Sequence, residues 1–193
     1  MIAIDIHNVS VAYKKTPVLW SIDAELASGA FIGIVGPNGS GKSTLIKACT
    51  GLIPLMSGEI KFYGKNIHEV RHEIAYLPQK ETIDWDFPIQ VLDVVLMGTY
   101  PKLGIFKRPS KKEINLAKEC LHKVGMLEFM KRQISELSGG QQQRVFLARA
   151  LAQEAKIYFL DEPFSAVDAV TEETIIQVIQ DLKKEGKTIV VVH

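Results

Sequence analysis

Ala30-Phe31-Ile32-Gly33-Ile34-Val35 runs without a break into Gly36-Pro37-Asn38-Gly39-Ser40-Gly41-Lys42-Ser43-Thr44. The first six residues form a continuous apolar run, the pattern expected of a buried strand in a parallel sheet. The next nine satisfy G-x-x-x-x-G-K-[ST], in which glycines let backbone N–H groups approach a phosphate closely. A helix opening at about Lys42 adds the positive end of its dipole to the same place. Gly36 to Thr44 are therefore the candidate cradle for a nucleotide. Lys42 would reach the β- and γ-phosphates, and the Ser43 hydroxyl would ligate Mg²⁺.

Upstream, Ile2, Ile4 and Ile6, then Val9, Val11 and Tyr13, alternate with period two and slip near His7-Asn8, which reads as strand. Downstream, Glu59–Tyr63 and Glu73–Leu77 read as a strand pair flanking a polar turn around Gly64-Lys65-Asn66. Ile89–Met97 is apolar on most faces, as a buried helix would be. Ser110-Lys111-Lys112-Glu113 is a capping-box start for a helix to about Val124, with Gly125 as its stop. A further helix begins at Ser138, with Val145, Ala148, Leu151 and Ala152 at core spacing. Ile157-Tyr158-Phe159-Leu160 reads as another buried strand, ending in Asp161-Glu162. A helix from about Asp168 to Glu185 presents Ile175, Ile176, Val178, Ile179 and Leu182, and Gly186 closes it. Thr188–Val192 is a β-branched strand followed by His193. Strands alternating with helices around a helical middle give an α/β fold with an inserted helical subdomain.

With 193 residues the chain fits one domain with a substantial core. A net charge of +1 gives no reason to invoke nucleic acid. Lys107-Arg108 and Lys111-Lys112 form one basic cluster, read as a solvated helix start. Cys49 and Cys120 lie far apart and read as buried free thiols of a reducing compartment. Met1 to Asp5 lacks the basic start and long apolar core of a signal peptide. The sequence holds no apolar run of the ~18 residues that a membrane span requires, so a cytoplasmic domain is expected. His68 and His72 have i,i+4 spacing, but with no third ligand nearby they read as a solvated polar segment.

Asp161 and Glu162 end an apolar strand, where neighbouring side chains project in different directions. One carboxylate can then hold Mg²⁺ while the other polarises water against a γ-phosphate, which is most of what phosphoryl transfer needs. Leu137-Ser138-Gly139-Gly140-Gln141 is a second glycine-led helix start. A capping box accounts for Ser138 and Gln141. It does not account for two glycines in a first turn, each costing about 1 kcal/mol relative to alanine. Close approach of an anion does.

The phosphate loop, the later Leu137–Gln141 motif and the helical segment between them resemble, over essentially the whole chain, the ATP-binding subunit of ABC transporters. The resemblance implies a P-loop NTPase core with an antiparallel β subdomain and an inserted α-helical subdomain at about 85–150, all within a single domain spanning 1–193. It implies ATP and Mg²⁺ as cofactors, and a head-to-tail homodimer in which Ser138, Gly139, Gly140 and Gln141 of one chain contact the ATP held by the other's loop. Tyr13 takes the place of the aromatic that stacks on adenine, an interaction worth about 1–3 kcal/mol. Gln79, after Tyr76-Leu77-Pro78, resembles the glutamine that senses Mg²⁺ and the attacking water. Ser165-Ala166-Val167-Asp168 looks like the loop bridging the two copies, and His193 matches the histidine that contacts the γ-phosphate. The implied catalytic set is Glu162, His193, Gln79 and Lys42, and the implied metal set is Ser43, Gln79 and Asp161.

Ile83-Asp84-Trp85-Asp86-Phe87-Pro88-Ile89 resembles the importer branch that handles Mn²⁺, Zn²⁺ or iron. That branch works with an integral membrane permease and an extracytoplasmic solute-binding protein, which puts the subunit on the cytoplasmic face of the cell membrane as a peripheral protein. Family members continue for several dozen residues past the position of His193, so a C-terminally truncated chain is expected. The alternative is a soluble ABC ATPase acting on ribosomes or DNA-repair assemblies. Those carry tandem cassettes or long coiled-coil insertions, neither of which is present in these residues.

Overall fold

The computed structural model describes residues 1–14, 16–79, 87–104 and 107–193. β1 (Ile2–Tyr13) and β2 (Thr16–Ala27) form a long antiparallel hairpin. β3 (Phe31–Ile34) leads through the glycine-rich loop into α1 (Lys42–Cys49). β4 (Ser57–Phe62) and the two-residue β5 (Lys65–Asn66) then return to β1, giving a four-stranded antiparallel sheet of order β2-β1-β4-β5. The slip read at His7-Asn8 is a bulge: pairing shifts between Ile6 and Val9, and Asn8 sits at φ 49°. Its N–H donates to Asp23 Oδ1 at 2.8 Å, which ties the bulge to β2. Along β2, Ile22, Ala24 and Leu26 alternate with Ser21, Asp23 and Glu25, the period-two pattern of a half-buried strand.

α2 (Ile67–Val70) and a 3₁₀ turn (Arg71–Glu73) carry the chain to β6 (Ile74–Leu77). β4 and β6 are therefore not the strand pair the sequence suggests. β4 pairs with β1, whereas β6 pairs with β7 in a different sheet. The helical middle comprises α3 (Val91–Leu96), α4 (Tyr100–Leu103), α5 (Lys111–Lys123) and α6 (Gly139–Ala152). β7 (Ile157–Asp161), α7 (Ala169–Lys184) and β8 (Thr188–Val192) follow. The second sheet is parallel, in the order β3-β8-β7-β6. β7 and β8 are buried at every residue, as their apolar runs imply. β3 is less so: it is the last strand of the sheet among the described residues, with Phe31 48% exposed, and Val35 beyond its end is 78% exposed. A continuous apolar run identifies the parallel strand but not its place in the sheet.

Alternation along the central strands divides the interior into two cores. Tyr158, Leu160, Ile189 and Val191 face a core built with α3, α5, α6 and α7. Ile157, Phe159, Val190 and Val192 face a second core built with α1 and the antiparallel sheet. Helix ends follow the local signals. Ser110 caps α5 in a reciprocal box with Glu113, whose carboxyl those bonds hold below the usual carboxylate range, and Gly125 follows at φ 66°. α7 buries Ile175, Val178, Ile179 and Leu182, while Ile176 is turned outward at 41% exposure. Burial pushes the Cys49 and Cys120 thiols up to about 12, which keeps both protonated and inert at neutral pH. No helix among the described residues is long and apolar enough to cross a membrane.

Candidate active site

Every strand of the parallel sheet delivers a candidate residue at its carboxyl end. The phosphate loop leaves β3, His193 follows β8, Asp161 and Glu162 end β7, and Gln79 lies two residues past β6. In open α/β sheets the crevice outside the carboxyl ends of the strands is where ligands bind. Backbone bonds tie this rim together: His193 N–H donates to Ile34 O at 3.1 Å, and Glu162 N–H donates to Val192 O at 3.1 Å.

The loop itself is exposed and ends at Gly41, at φ 93°, which is the N-cap of α1 and makes no side-chain cap bond. A methyl group there would lie 2.7 Å from Leu19 Cδ2, so β2 packs directly beneath the loop's last turn. Lys42 folds back along the loop, its Nζ donating to Gly36 O at 2.6 Å and Pro37 O at 3.2 Å. The ammonium is thereby held against the start of the loop.

Asp161 and Glu162 separate cleanly in space. Asp161 is fully buried. Its Oδ1 accepts the Ser43 hydroxyl at 2.8 Å, and its Oδ2 accepts the Tyr76 hydroxyl at 3.3 Å. Glu162 is half-buried and takes φ 48°, a left-handed conformation uncommon for a non-glycine residue. That turn swings its side chain away from Asp161, and Gln79 Nε2 donates to Glu162 Oε2 at 3.0 Å. Strained backbone of this kind persists where the surroundings over-determine it. Here the Val192 bond on one side and Ser165 N–H to Glu162 O at 3.1 Å on the other do so. A cleft of about 340 Å³ results, lined by Asn38, Gly39, Gly41, Lys42, Ser43, Thr44, Gln79, Glu162 and Val18.

The residues present fit a divalent cation. A buried carboxylate is costly unless it is paired. Among the described residues Asp161 is met by hydroxyls, beside a serine oxygen that can itself ligate. Oxygen donors of this kind suit Mg²⁺.

Two groups from the sequence reading do not line this cleft, and a third falls outside the described residues. Tyr13 stands at the turn end of the β1–β2 hairpin, 45% exposed and paired with Thr16. Ser138, Gly139, Gly140 and Gln141 open α6 and do not line the cleft. Ser138 and Gln141 are engaged with each other: Gln141 Oε1 accepts Ser138 N–H at 2.9 Å, and Ser138 Oγ accepts Gln141 N–H at 3.4 Å. Gly140 has a packing reason of its own, since a Cβ there would run into the Asp168 carboxylate and lie 2.6 Å from Thr171 Oγ1. Asp168 caps α7 through Thr171 N–H at 2.8 Å. That bond holds its carboxyl below the usual carboxylate range. The third group, Ile83 to Asp86, lies outside the described residues, and Phe87 beside it is exposed. His68 is on α2 and His72 in the 3₁₀ turn, with His72 Nε2 3.7 Å from Glu73 Oε1.

Two contributors escape the sequence motifs. Val18 reaches the cleft from β2, and Tyr76 reaches Asp161 from β6.

The described geometry has close counterparts in known proteins. The ABC transporter family pattern matches residues 19–165. The chain belongs to this family of ATPases. It is 56% identical to the manganese transport system ATP-binding protein MntB of Bacillus subtilis over 193 residues, all of this chain and 77% of that protein. It is 53% identical to the zinc transport system ATP-binding protein TroB of Treponema pallidum, over 99% of this chain and 72% of that one. Among solved structures, an ATP-binding cassette captured as a dimer in a post-hydrolysis state with ADP and phosphate superposes with a TM-score of 0.84. It is 30% identical, and the match covers 98% of this chain and 87% of that one. The P-loop core expected from sequence is thus borne out.

Proposed function

We propose that this chain is the ATP-hydrolysing subunit of a metal-ion importer, for Mn²⁺, Zn²⁺ or iron. The observation that carries the chemistry is the convergence of Lys42, Ser43, Asp161, Gln79 and Glu162 on one rim of the parallel sheet. The choice of cargo rests on the manganese and zinc systems that its relatives serve.

In this reading the loop N–H groups and Lys42 bind the β- and γ-phosphates, and Lys42 leaves Gly36 O and Pro37 O to do so. Mg²⁺ held by Ser43 and Asp161, with Gln79 close by, supplies neutralisation of charge on those phosphates. Glu162 takes the proton of the water that attacks the γ-phosphate, Gln79 fixes the carboxylate's direction, and His193 contacts the γ-phosphate. Tyr13 stacks on adenine. Ser138, Gly139, Gly140 and Gln141 complete the site of a second, head-to-tail copy, consistent with their distance from their own chain's cleft. The permease contacts the hollow of about 270 Å³ between the sheet core and the helical subdomain, where Leu52 and Met97 are exposed beside Arg149 and Gln153. In this reading the subunit sits on the cytoplasmic face of the membrane, with a solute-binding protein on the other side.

Purifying the full-length protein from native membranes in mild detergent tests the transport reading. Recovery with a multi-spanning permease is expected. Recovery only with ribosomes or other soluble assemblies would overturn it while leaving the ATP chemistry in place.

A second test concerns Gly140. Replacing it with alanine should displace the start of α6 from Asp168, an overpacking cost of about 1–3 kcal/mol. ATP binding by the monomer should be retained and ATP-dependent dimerisation weakened, as read by sedimentation with and without nucleotide. Unchanged dimerisation would remove the α6 start from the interface.

A further inference from the structure

The Tyr76 hydroxyl holds the second oxygen of the one fully buried carboxylate at the site. We infer that Tyr76 is a positioning residue for the metal: it orients Asp161 so that Oδ1, on the Ser43 side, faces the cation. This rests on the metal site proposed above.

The geometry is directional. Asp161 has two oxygens, and its carboxyl plane can rotate unless both are engaged. Ser43 takes Oδ1 at 2.8 Å from α1, and Tyr76 takes Oδ2 at 3.3 Å from β6. The two hydroxyls come from opposite sides of β7 in the chain's topology, so together they fix the plane. A cation held here would use a lone pair of the Ser43 hydroxyl together with Oδ1 of Asp161. Tyr76, bonded to the other oxygen, would hold the carboxylate plane whether or not the cation is bound. It is well suited to stay there, because its ring packs against the core around β7 and β8 and its carbonyl accepts Arg149 Nη2 at 3.4 Å from α6. Partners that orient metal ligands in this way typically contribute 10- to 100-fold in metal affinity.

Tyr76→Phe tests this, because it keeps the ring, the strand and the Arg149 bond while deleting the donor. The probe is Mn²⁺ in place of Mg²⁺, titrated by electron paramagnetic resonance into protein saturated with a non-hydrolysable ATP analogue. Expected is a loss of about 10- to 100-fold in Mn²⁺ affinity, with analogue binding in EDTA and the melting temperature unchanged. Unchanged Mn²⁺ affinity overturns the inference. So does an equal loss of analogue binding in EDTA, which would make Tyr76 a support for the loop instead. Asp161→Asn in the same titration separates the two levels. If it too leaves Mn²⁺ affinity intact, the metal site itself is misplaced. If it abolishes binding while Tyr76→Phe has no effect, only the role of Tyr76 falls.

Discussion

Replacing Glu162 with Gln will lower steady-state ATP hydrolysis by about 10²–10⁴-fold while leaving ATP binding in place, the loss expected when a positioned general base is removed. The side chain lines the cleft with Lys42 and Ser43, and its Oε2 accepts a hydrogen bond from Gln79 Nε2 at 3.0 Å. A glutamine is nearly isosteric and can present its amide oxygen to Gln79, so the cleft keeps its shape. What it cannot do is take a proton from water. Asp161 cannot substitute, because it is fully buried one residue back and both its oxygens are held by hydroxyls. The measurement pairs hydrolysis rates with binding of a fluorescent ATP analogue, in the full-length protein. Equal turnover in wild type and variant would take Glu162 out of the base role, and loss of binding would recast it as a structural support for the loop.

The division of labour between Asp161 and Glu162 also marks how far sequence carries. Local chemistry was legible: G-x-x-x-x-G-K-[ST] after an apolar run does sit between β3 and α1, and the capping pattern at Ser138 does open α6. The bulge at Asn8 was legible too, because a break in period-two alternation has one common cause. Long-range pairing was not. Ile22, Ala24 and Leu26 alternate with Asp23 and Glu25 as a half-buried strand should, but nothing in Thr16–Ala27 names β1 as its partner. Likewise β4 and β6 read alike yet join different sheets. Tyr76 shows the same limit at the site. Its partner is 85 residues away, and only the parallel pairing of β6 with β7 brings them together. Gly140 is the mixed case: the motif flags the glycine, but contact with the α7 cap is visible only in the fold.

Gly41→Ala is the second change expected to have a large effect, and it tests whether the antiparallel sheet supports the phosphate loop. Gly41 takes φ 93°, where any Cβ is strained; the left-handed region costs an L-residue roughly 1–2 kcal/mol. The new methyl would also lie 2.7 Å from Leu19 Cδ2 and 3.3 Å from Val18 Cγ1. Leu19 is buried in the core shared by α1 and β1, so it has little room to retreat, and overpacking of this kind costs about 1–3 kcal/mol. Together the two terms reach about 2–5 kcal/mol, divided between a lower melting temperature and a displaced loop. ATP affinity is expected to fall by at least about tenfold, which corresponds to 1.4 kcal/mol of that total. Gly39→Ala is the control that separates the terms. It has the same kind of backbone conformation, φ 81°, but nothing within 4 Å of its Cβ. It should therefore show the backbone cost alone and the smaller loss in both melting temperature and nucleotide binding. Equal losses in the two variants would mean that the Leu19 contact contributes nothing, and that β2 passes beneath the loop without holding it.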